Sequence, residues 1–301
     1  PKISSYLMNN SIELNSCHYC NIDFINTIEE HYQFNSIKEF ILEAPYDVLM
    51  LVKEIKKDIA YRIIKYRKYH FNGLISWTNL INVSIYNSLF KIFNSKKINC
   101  VKKVDIKNIV VKKNHFTLDH VLPKNKFPFL SLSIFNLVPS CYSCNSKFKH
   151  QKEFTINNEL EKLSPTSDKF IADKLMFFKM NFDSNDIEFD EKIKLIKEIK
   201  DVIVNLENES SLSGVDEFIK IFKLKARYEF HKNISFEMIE KRKLYPDSQI
   251  KEISDFFKNK GLMNSEDNIK KDIFGKELFK DTNAPFEKYK KDIAKQLGLI
   301  K

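Results

Sequence analysis

Four of the five cysteines fall in two CxxC pairs, Cys17-His18-Tyr19-Cys20 and Cys141-Tyr142-Ser143-Cys144. Two intervening residues let both sulfurs of a pair face one ion, and two such knuckles complete the tetrahedral four-sulfur shell that zinc prefers, with Zn–S bonds of about 2.3 Å. The 120 residues between Cys20 and Cys141 far exceed the roughly 15–20 of a compact zinc ribbon. A shared ion therefore requires a large insertion carried between the knuckles. The competing readings are a redox CxxC or two unrelated buried pairs. Cys100 is left over as a plain core thiol. An odd cysteine count with CxxC spacing suits metal chemistry in a reducing compartment better than a disulfide framework, so the cytoplasm is the expected location.

What surrounds the knuckles is mostly helix. Hydrophobic residues make up 43% of the 301 residues and only 5 are Gly and 8 Pro, which excludes a disordered chain and counts against a turn-rich all-β fold. The expected class is α+β, mainly helical, in two lobes of ordinary domain size. The formal net charge is +10, and its distribution is uneven: residues 1–150 carry 21 Lys/Arg against 11 Asp/Glu, whereas residues 151–301 carry 29 of each. The excess positive charge belongs to 1–150, a candidate nucleic-acid face, with 151–301 a neutral companion. Lys-rich helices that only keep a chain in solution would look the same. Lysine interrupts every apolar run before the roughly 18–20 residues needed to span a bilayer, so no membrane partner is expected. The sequence opens Pro1-Lys2-Ile3 with no visible leader, and a removed one stays open.

Along the chain, Ser36-Ile37-Lys38-Glu39 reads as a capping box that starts a helix, and Pro45 interrupts it. Val48 to Tyr69 then shows apolar spacings of three and four, predicting one amphipathic helix whose other face includes Lys53, Lys56 and Lys57. Leu74–Phe93 reads as a second helix containing Trp77. A basic tract over 96–113 includes Lys102, Lys103, Lys112 and Lys113. β-Branched and aromatic residues at Ile109–Val111 and Phe116–Leu118 predict a short hairpin ahead of Asp119. Asn136–Pro139 reads as a brief strand, and a helix follows from Cys141. Beyond Gln151, Phe154–Ile156 and Met176–Phe178 are strand candidates, and 167–190 reads as a small mixed subdomain. Val215–Lys243 reads as one long helix, followed by helices near 249–260, 265–274 and 285–297.

The chemistry lies in Phe116-Thr117-Leu118-Asp119-His120-Val121-Leu122-Pro123, followed by Asn136-Leu137-Val138-Pro139-Ser140-Cys141-Tyr142-Ser143-Cys144-Asn145-Ser146-Lys147. An apolar strand ending in Asp-His, Pro three residues past the His, and Asn-Leu-x-Pro-x-Cys-x-x-Cys-Asn in that order resemble the HNH endonucleases. The resemblance covers about 35 residues plus the Cys17/Cys20 pair. It implies a ββα-metal core with a four-cysteine zinc site; with the knuckle separation, the charge distribution and the helical periodicity, the expected organisation is a nuclease domain of 1–150 with a helical insertion at about 30–100 and a mostly helical C-terminal lobe at 151–301. It also implies that Asp119 and Asn145 hold a catalytic Mg²⁺ or Mn²⁺, with Asn145 standing where the family's namesake His falls. Asn136 would brace the loop and orient His120.

The residue types suit phosphodiester hydrolysis on their own terms. That reaction needs a base for water, charge to offset the phosphate, and groups that hold both in line. Neutral imidazole of His120 accepts a proton near pH 7, and Asp119 and Asn145 offer hard oxygens suited to Mg²⁺ or Mn²⁺. A half-buried structural histidine at His120 and a turn-capping Asn136 are the bland alternatives. Lys147 and Lys149 could be solvated or could touch phosphate.

The expected function is metal-dependent hydrolysis of DNA. The rivals are a zinc-stabilised, non-catalytic nucleic-acid-binding or scaffold protein and an RNA-directed nuclease. The stretch Asn283–Ile293 resembles the tail of an HNH group encoded beside large ATPases in anti-phage systems of the Septu type. That resemblance implies a partner ATPase docked on 151–301.

Overall fold

The computed structural model describes residues 15–52, 55–69, 106–153, 160–181, 189–209, 213–261 and 265–300, together with Ile3, Tyr6 and Leu7. The predicted Leu74–Phe93 helix, the Phe154–Ile156 strand, Lys53, Cys100, Lys102 and Lys103 lie outside them. The chain divides into two compact units, one of residues 1–26 with 114–301 and one of residues 27–113. These bounds differ from the division at residue 150 read from charge. Residues on both sides of 150, from Cys17 to Leu299, share one hydrophobic core, and charge balance carries no information about which apolar faces meet.

In the 27–113 unit, strand β1 (Thr27–Tyr32) pairs with β2 (Ile109–Asn114). Lys112 on β2 forms an ion pair with Glu29 and Lys113 one with Glu30. Helix α1 (Ile37–Glu43) begins at Ser36, whose side chain accepts from the Glu39 backbone N–H, while Glu39 accepts from the backbone N–H of Asn35. The cap thereby supplies acceptors for backbone donors that the helix itself leaves unmatched. Pro45 precedes a single turn, α2 (Tyr46–Leu49), and α3 (Lys57–Tyr69) follows. The single helix predicted over 48–69 is thus two. Val48, Leu49, Val52, Ile55, Ala60 and Ile63 are all buried in one cluster with Phe40 and Ile109. Periodicity therefore reported the buried face correctly. It could not report the break, where Leu51 and Val52 donate to carbonyls three residues back and close the turn in 3₁₀ fashion.

The predicted hairpin of Ile109–Val111 with Phe116–Leu118 does not form. β2 takes β1 as its partner, whereas β3 (Thr117–His120) pairs antiparallel with β4 (Leu137–Ser140), placing Asp119 opposite Val138 and His120 opposite Leu137. Strand propensity marks a segment as extended without choosing its neighbour. After β4 the chain turns through Cys141 into a π-helical segment, Ser143–Lys149. That gives two strands and a helix, with the second cysteine knuckle at the corner.

The remainder of this unit packs around the corner. Helices α4 (Leu160–Leu163) and α5 (Ala172–Leu175) lead to β5 (Met176–Asn181), whose alternate residues Met176, Phe178 and Met180 are buried. After α6 (Phe189–Leu195), strand β6 (Ile203–Asn208) pairs antiparallel with β5. This sheet belongs to the shared core, so 167–190 is no separate subdomain. The region predicted as one helix over 215–243 is three: α7 (Ser213–Ile221), α8 (Leu224–Phe230) and α9 (Asn233–Leu244). Lys223 adopts a left-handed conformation with φ of 54° between the first two, a break that no Gly or Pro announces. Helices α10 (Asp247–Asn259), α11 (Glu266–Phe274, capped by Ser265) and α12 (Glu287–Gln296) complete the lobe. On α12, Asp292 accepts from the Phe178 N–H, and Gln296 accepts from the Met180 N–H while donating to the Phe178 carbonyl. The helix thereby satisfies backbone groups on the free side of β5. No helix among the described residues is long and apolar enough to cross a membrane.

Candidate active site and metal centre

The CxxC spacing folds as the sequence suggests. The sulfurs of Cys17, Cys20, Cys141 and Cys144 lie within 4.8 Å of one another and all four residues are buried. Backbone N–H groups point at them, from Cys141 to the Cys17 sulfur at 3.3 Å and from Cys144 to the Cys141 sulfur at 3.4 Å. Hydrogen bonds from the Cys141, Cys144 and Cys17 thiols hold the Cys20 thiol below its usual range, and hydrogen bonding within the same group holds Cys144 above it. As thiolates, four sulfurs this close would require a cation. The donor set is that of a structural tetrathiolate zinc site, and zinc would be held there by these four residues.

A fifth side chain completes this centre. Arg227, on α8, donates to the Cys144 sulfur at 3.2 Å, to the Cys20 sulfur at 3.4 Å and to Asp23 Oδ2 at 2.9 Å, with its guanidinium 4.9 Å from the Phe148 ring centre. The next residue, Tyr228, donates its hydroxyl to the Cys20 carbonyl at 2.6 Å. A zinc ion with four thiolates carries a net charge of −2, and Arg227 places a cation against it in a partly buried setting where that attraction is weakly screened. Neither contact was legible in the sequence, because 207 residues separate Arg227 from Cys20.

Asp119 and His120 end β3 with opposite surroundings. The Asp119 side chain is 3% exposed. Its Oδ2 accepts from the Tyr19 hydroxyl at 2.7 Å and lies 3.0 Å from the Lys149 ammonium, which is 3.3 Å from Oδ1. Lys149, 1% exposed, also donates to the His120 carbonyl. Tyr19 lies inside the first knuckle and stacks on Phe222 at 4.4 Å, so that knuckle and Asp119 are joined by one side chain. Burial pushes the Asp119 carboxyl up and the Lys149 ammonium down, each toward its neutral form, against the attraction between the two. Lys149, expected at the phosphate, is therefore a buried partner of Asp119. Lys147 is exposed as expected.

His120 is half-buried, and its Nε2 lies 3.0 Å from the Ser131 carbonyl. A carbonyl only accepts, so in the neutral ring the proton sits on Nε2 and the lone pair on Nδ1. Nδ1 has no hydrogen-bond partner among the described residues. The loop that supplies Ser131 is pinned by buried Asn136. Its amide accepts from the Leu122 N–H at 2.7 Å and donates to the carbonyls of Leu122 at 3.0 Å and Leu130 at 3.2 Å. Asn136 thus fixes the loop that carries Ser131, and its side-chain hydrogen bonds among the described residues go to Leu122 and Leu130. Asn145 is half-buried, and its amide donates to the Leu118 carbonyl at 3.3 Å.

The divalent ion expected from the sequence would draw on Asp119 and on Asn145, whose amide bonds to the carbonyl of Leu118, next to Asp119 on β3. Both carboxylate oxygens are engaged by Lys149 or Tyr19, and the only group of three or more His, Cys, Asp and Glu found among the described residues is the four-cysteine cluster. Of the remaining lysines expected to meet nucleic acid, Lys56 and Lys57 are exposed, whereas Lys112 and Lys113 are paired with Glu29, Glu30 and Asp47.

Residues 98–151 match the model of the HNH endonuclease family. The matched stretch contains β3, β4, the intervening loop and the π-helical segment, and with them Asp119, His120, Asn136 and Asn145. No curated protein and no solved structure matches the chain.

Proposed function

We propose that this protein is an endonuclease that hydrolyses phosphodiester bonds of DNA, with His120 as the base. The observation that carries the reading is the Ser131 carbonyl on His120 Nε2. It orients the ring and leaves Nδ1 to take a proton from water, within a segment that matches the HNH model. Asn136 positions this pair by fixing the loop, and the four-cysteine site, filled by zinc, fixes the corner from which Asp119 and Lys149 are held. A divalent cation held by Asp119 and Asn145 would offset charge on the phosphate, and Lys149 already places one positive charge at Asp119.

A cleavage panel over plasmid DNA, linear duplex DNA and total RNA, in Mg²⁺ or Mn²⁺, tests the reading with wild type and His120→Ala. Cutting of DNA that is lost in the variant is expected. Cutting of RNA alone would move the substrate to RNA. Undiminished cutting by the variant would remove His120 from the reaction, and no cutting of any substrate would favour a non-catalytic zinc-stabilised binding protein.

The likeness of Asn283–Ile293 to the Septu-type group supports a defence role in the cytoplasm with a partner ATPase held by residues 151–301. Within that stretch Tyr289 and Ile293 are buried in this chain's own core, so docking would use other residues of the lobe. Failure of a partner ATPase to co-purify with the full chain would sink that role.

A further inference from the structure

The loop between β3 and β4 carries three of the most exposed large apolar side chains among the described residues. Phe129 is 78% exposed, Leu132 80% and Phe135 79%. Single exposed hydrophobics are ordinary, but three within seven residues of one loop form a patch. This loop is also held firmly. Asn136 bonds it at Leu122 and Leu130, Ser131 bonds to His120, and the Phe135 carbonyl accepts from Thr166 Oγ1. Its apolar side chains are displayed by a backbone anchored at both ends and in the middle.

Charge identifies the occupant. From Val121 through Lys152 the sequence has no Asp or Glu and five Lys; Lys149 is buried against Asp119 and Lys126 pairs with Glu153, which leaves Lys124, Lys147 and Lys152 exposed. Lysine is depleted at the cores of protein interfaces. Exposed rings beside lysines are instead what unpaired nucleic acid requires, because bases stack on aromatic faces while cations follow the backbone. Apolar side chains also wedge between base steps and part them. Intact duplex offers no exposed base face, so its affinity would depend on charge alone.

Resting on the nuclease reading above, we propose that Phe129, Leu132 and Phe135 form a base-stacking wedge that selects unpaired or locally opened DNA and delivers it to His120. The three side chains are largely in solvent, so replacing them leaves the fold intact, as surface substitutions usually do.

The test is equilibrium binding by fluorescence anisotropy, without added divalent metal, to three labelled probes: a single-stranded oligonucleotide, the matching duplex, and that duplex with an internal unpaired bulge. Wild type is compared with Phe129→Ser/Leu132→Ser/Phe135→Ser, after zinc content and melting temperature confirm that both are folded. The expected result is a loss of roughly 10- to 100-fold on the single-stranded and bulged probes, with less than about threefold change on duplex and an unaltered salt slope. Equal affinity of the two proteins for every probe would overturn the proposal, as would an equal loss on all three; a patch that serves a protein partner would give the first outcome. Selective binding of unpaired DNA without cleavage would remove the nuclease reading and leave the wedge. Cleavage by wild type with unchanged binding by the variant would do the reverse.

Discussion

The ammonium of Lys149 and the carboxylate of Asp119 form an ion pair at 3.0 Å with side chains 1% and 3% exposed. Lys149 supplies the positive charge that the buried Asp119 carboxylate meets. Removing it by Lys149→Met strands a buried carboxylate, which should cost about 3–5 kcal/mol. If a cation can replace the ammonium, Mn²⁺ should raise the melting temperature of Lys149→Met and leave wild type nearly unmoved. Thermal melts with and without MnCl₂ decide this. An equal Mn²⁺ shift in both proteins would mean that Asp119 is already open to metal.

Removal of zinc should unfold the corner around the four cysteines, since metal binding and folding are coupled in such sites. One zinc per chain is expected by elemental analysis. Arg227→Met keeps the ligands and deletes the cation beside the Cys20 and Cys144 sulfurs. Loss of such outer partners typically weakens metal affinity by about 10- to 100-fold. Zinc release to a chromogenic chelator measures the change, and unaltered release would confine Arg227 to its ion pair with Asp23.

Asn136→Ala leaves the Leu122 N–H and the Leu122 and Leu130 carbonyls without their partner. The expected cost is about 1–3 kcal/mol in chemical denaturation. Cleavage should fall more steeply than DNA binding, because the loop that orients His120 loosens while the lysines remain. Cleavage that stays at the wild-type rate would show that His120 needs no help from the loop.

Asp247 joins Arg242 at 2.7 Å and Lys270 at 3.2 Å. Partial burial alone would raise its carboxyl, but the hydrogen bond from Lys270 and the Arg242 charge outweigh that effect and hold it below the usual range. A depressed folded pKa contributes stability that is present above the unfolded value of about 3.8 and is lost as pH falls through the folded one. Since the Asp247 side chain is 60% exposed, solvent screening limits the contribution to about 1 kcal/mol or less. Asp247→Asn should therefore destabilise the protein slightly at pH 7, with the difference from wild type shrinking below about pH 4. A difference that grows on acidification would contradict this.

Local signals were legible in the sequence and long-range ones were not. The cysteine knuckles announce themselves because both sulfurs of each pair lie within four residues, and the Ser36 cap because the acceptor and its donor are three residues apart. The Asp-His and Asn positions stood out through resemblance, and the structure brings them to one corner with the knuckles. Tyr19, Arg227 and Tyr228 were missed because nothing in their neighbourhoods marks them; each is defined by a partner 100 or more residues away. Lys149 was misread for the complementary reason, since a lysine among basic residues looks solvated until its carboxylate is seen. The failed hairpin and the divided helix at Lys223 show the same limit, with tertiary partners overriding local preference.

Arg227 and Tyr228 also set a schedule for biosynthesis. At roughly 5–20 residues per second, the ribosome delivers Cys17 and Cys20 many seconds before Cys141 and Cys144, and later still the arginine that offsets their charge. The two halves of the metal centre meet only after an intervening unit with its own apolar core has emerged. Until α8 leaves the exit tunnel, the thiolates lack their guanidinium, and Tyr19 gains Phe222 beneath it only shortly before. A nascent chain interrupted before that point carries the Asp-His and Asn residues of the site without the full scaffold that arranges them, so the corner is completed only when translation is well advanced.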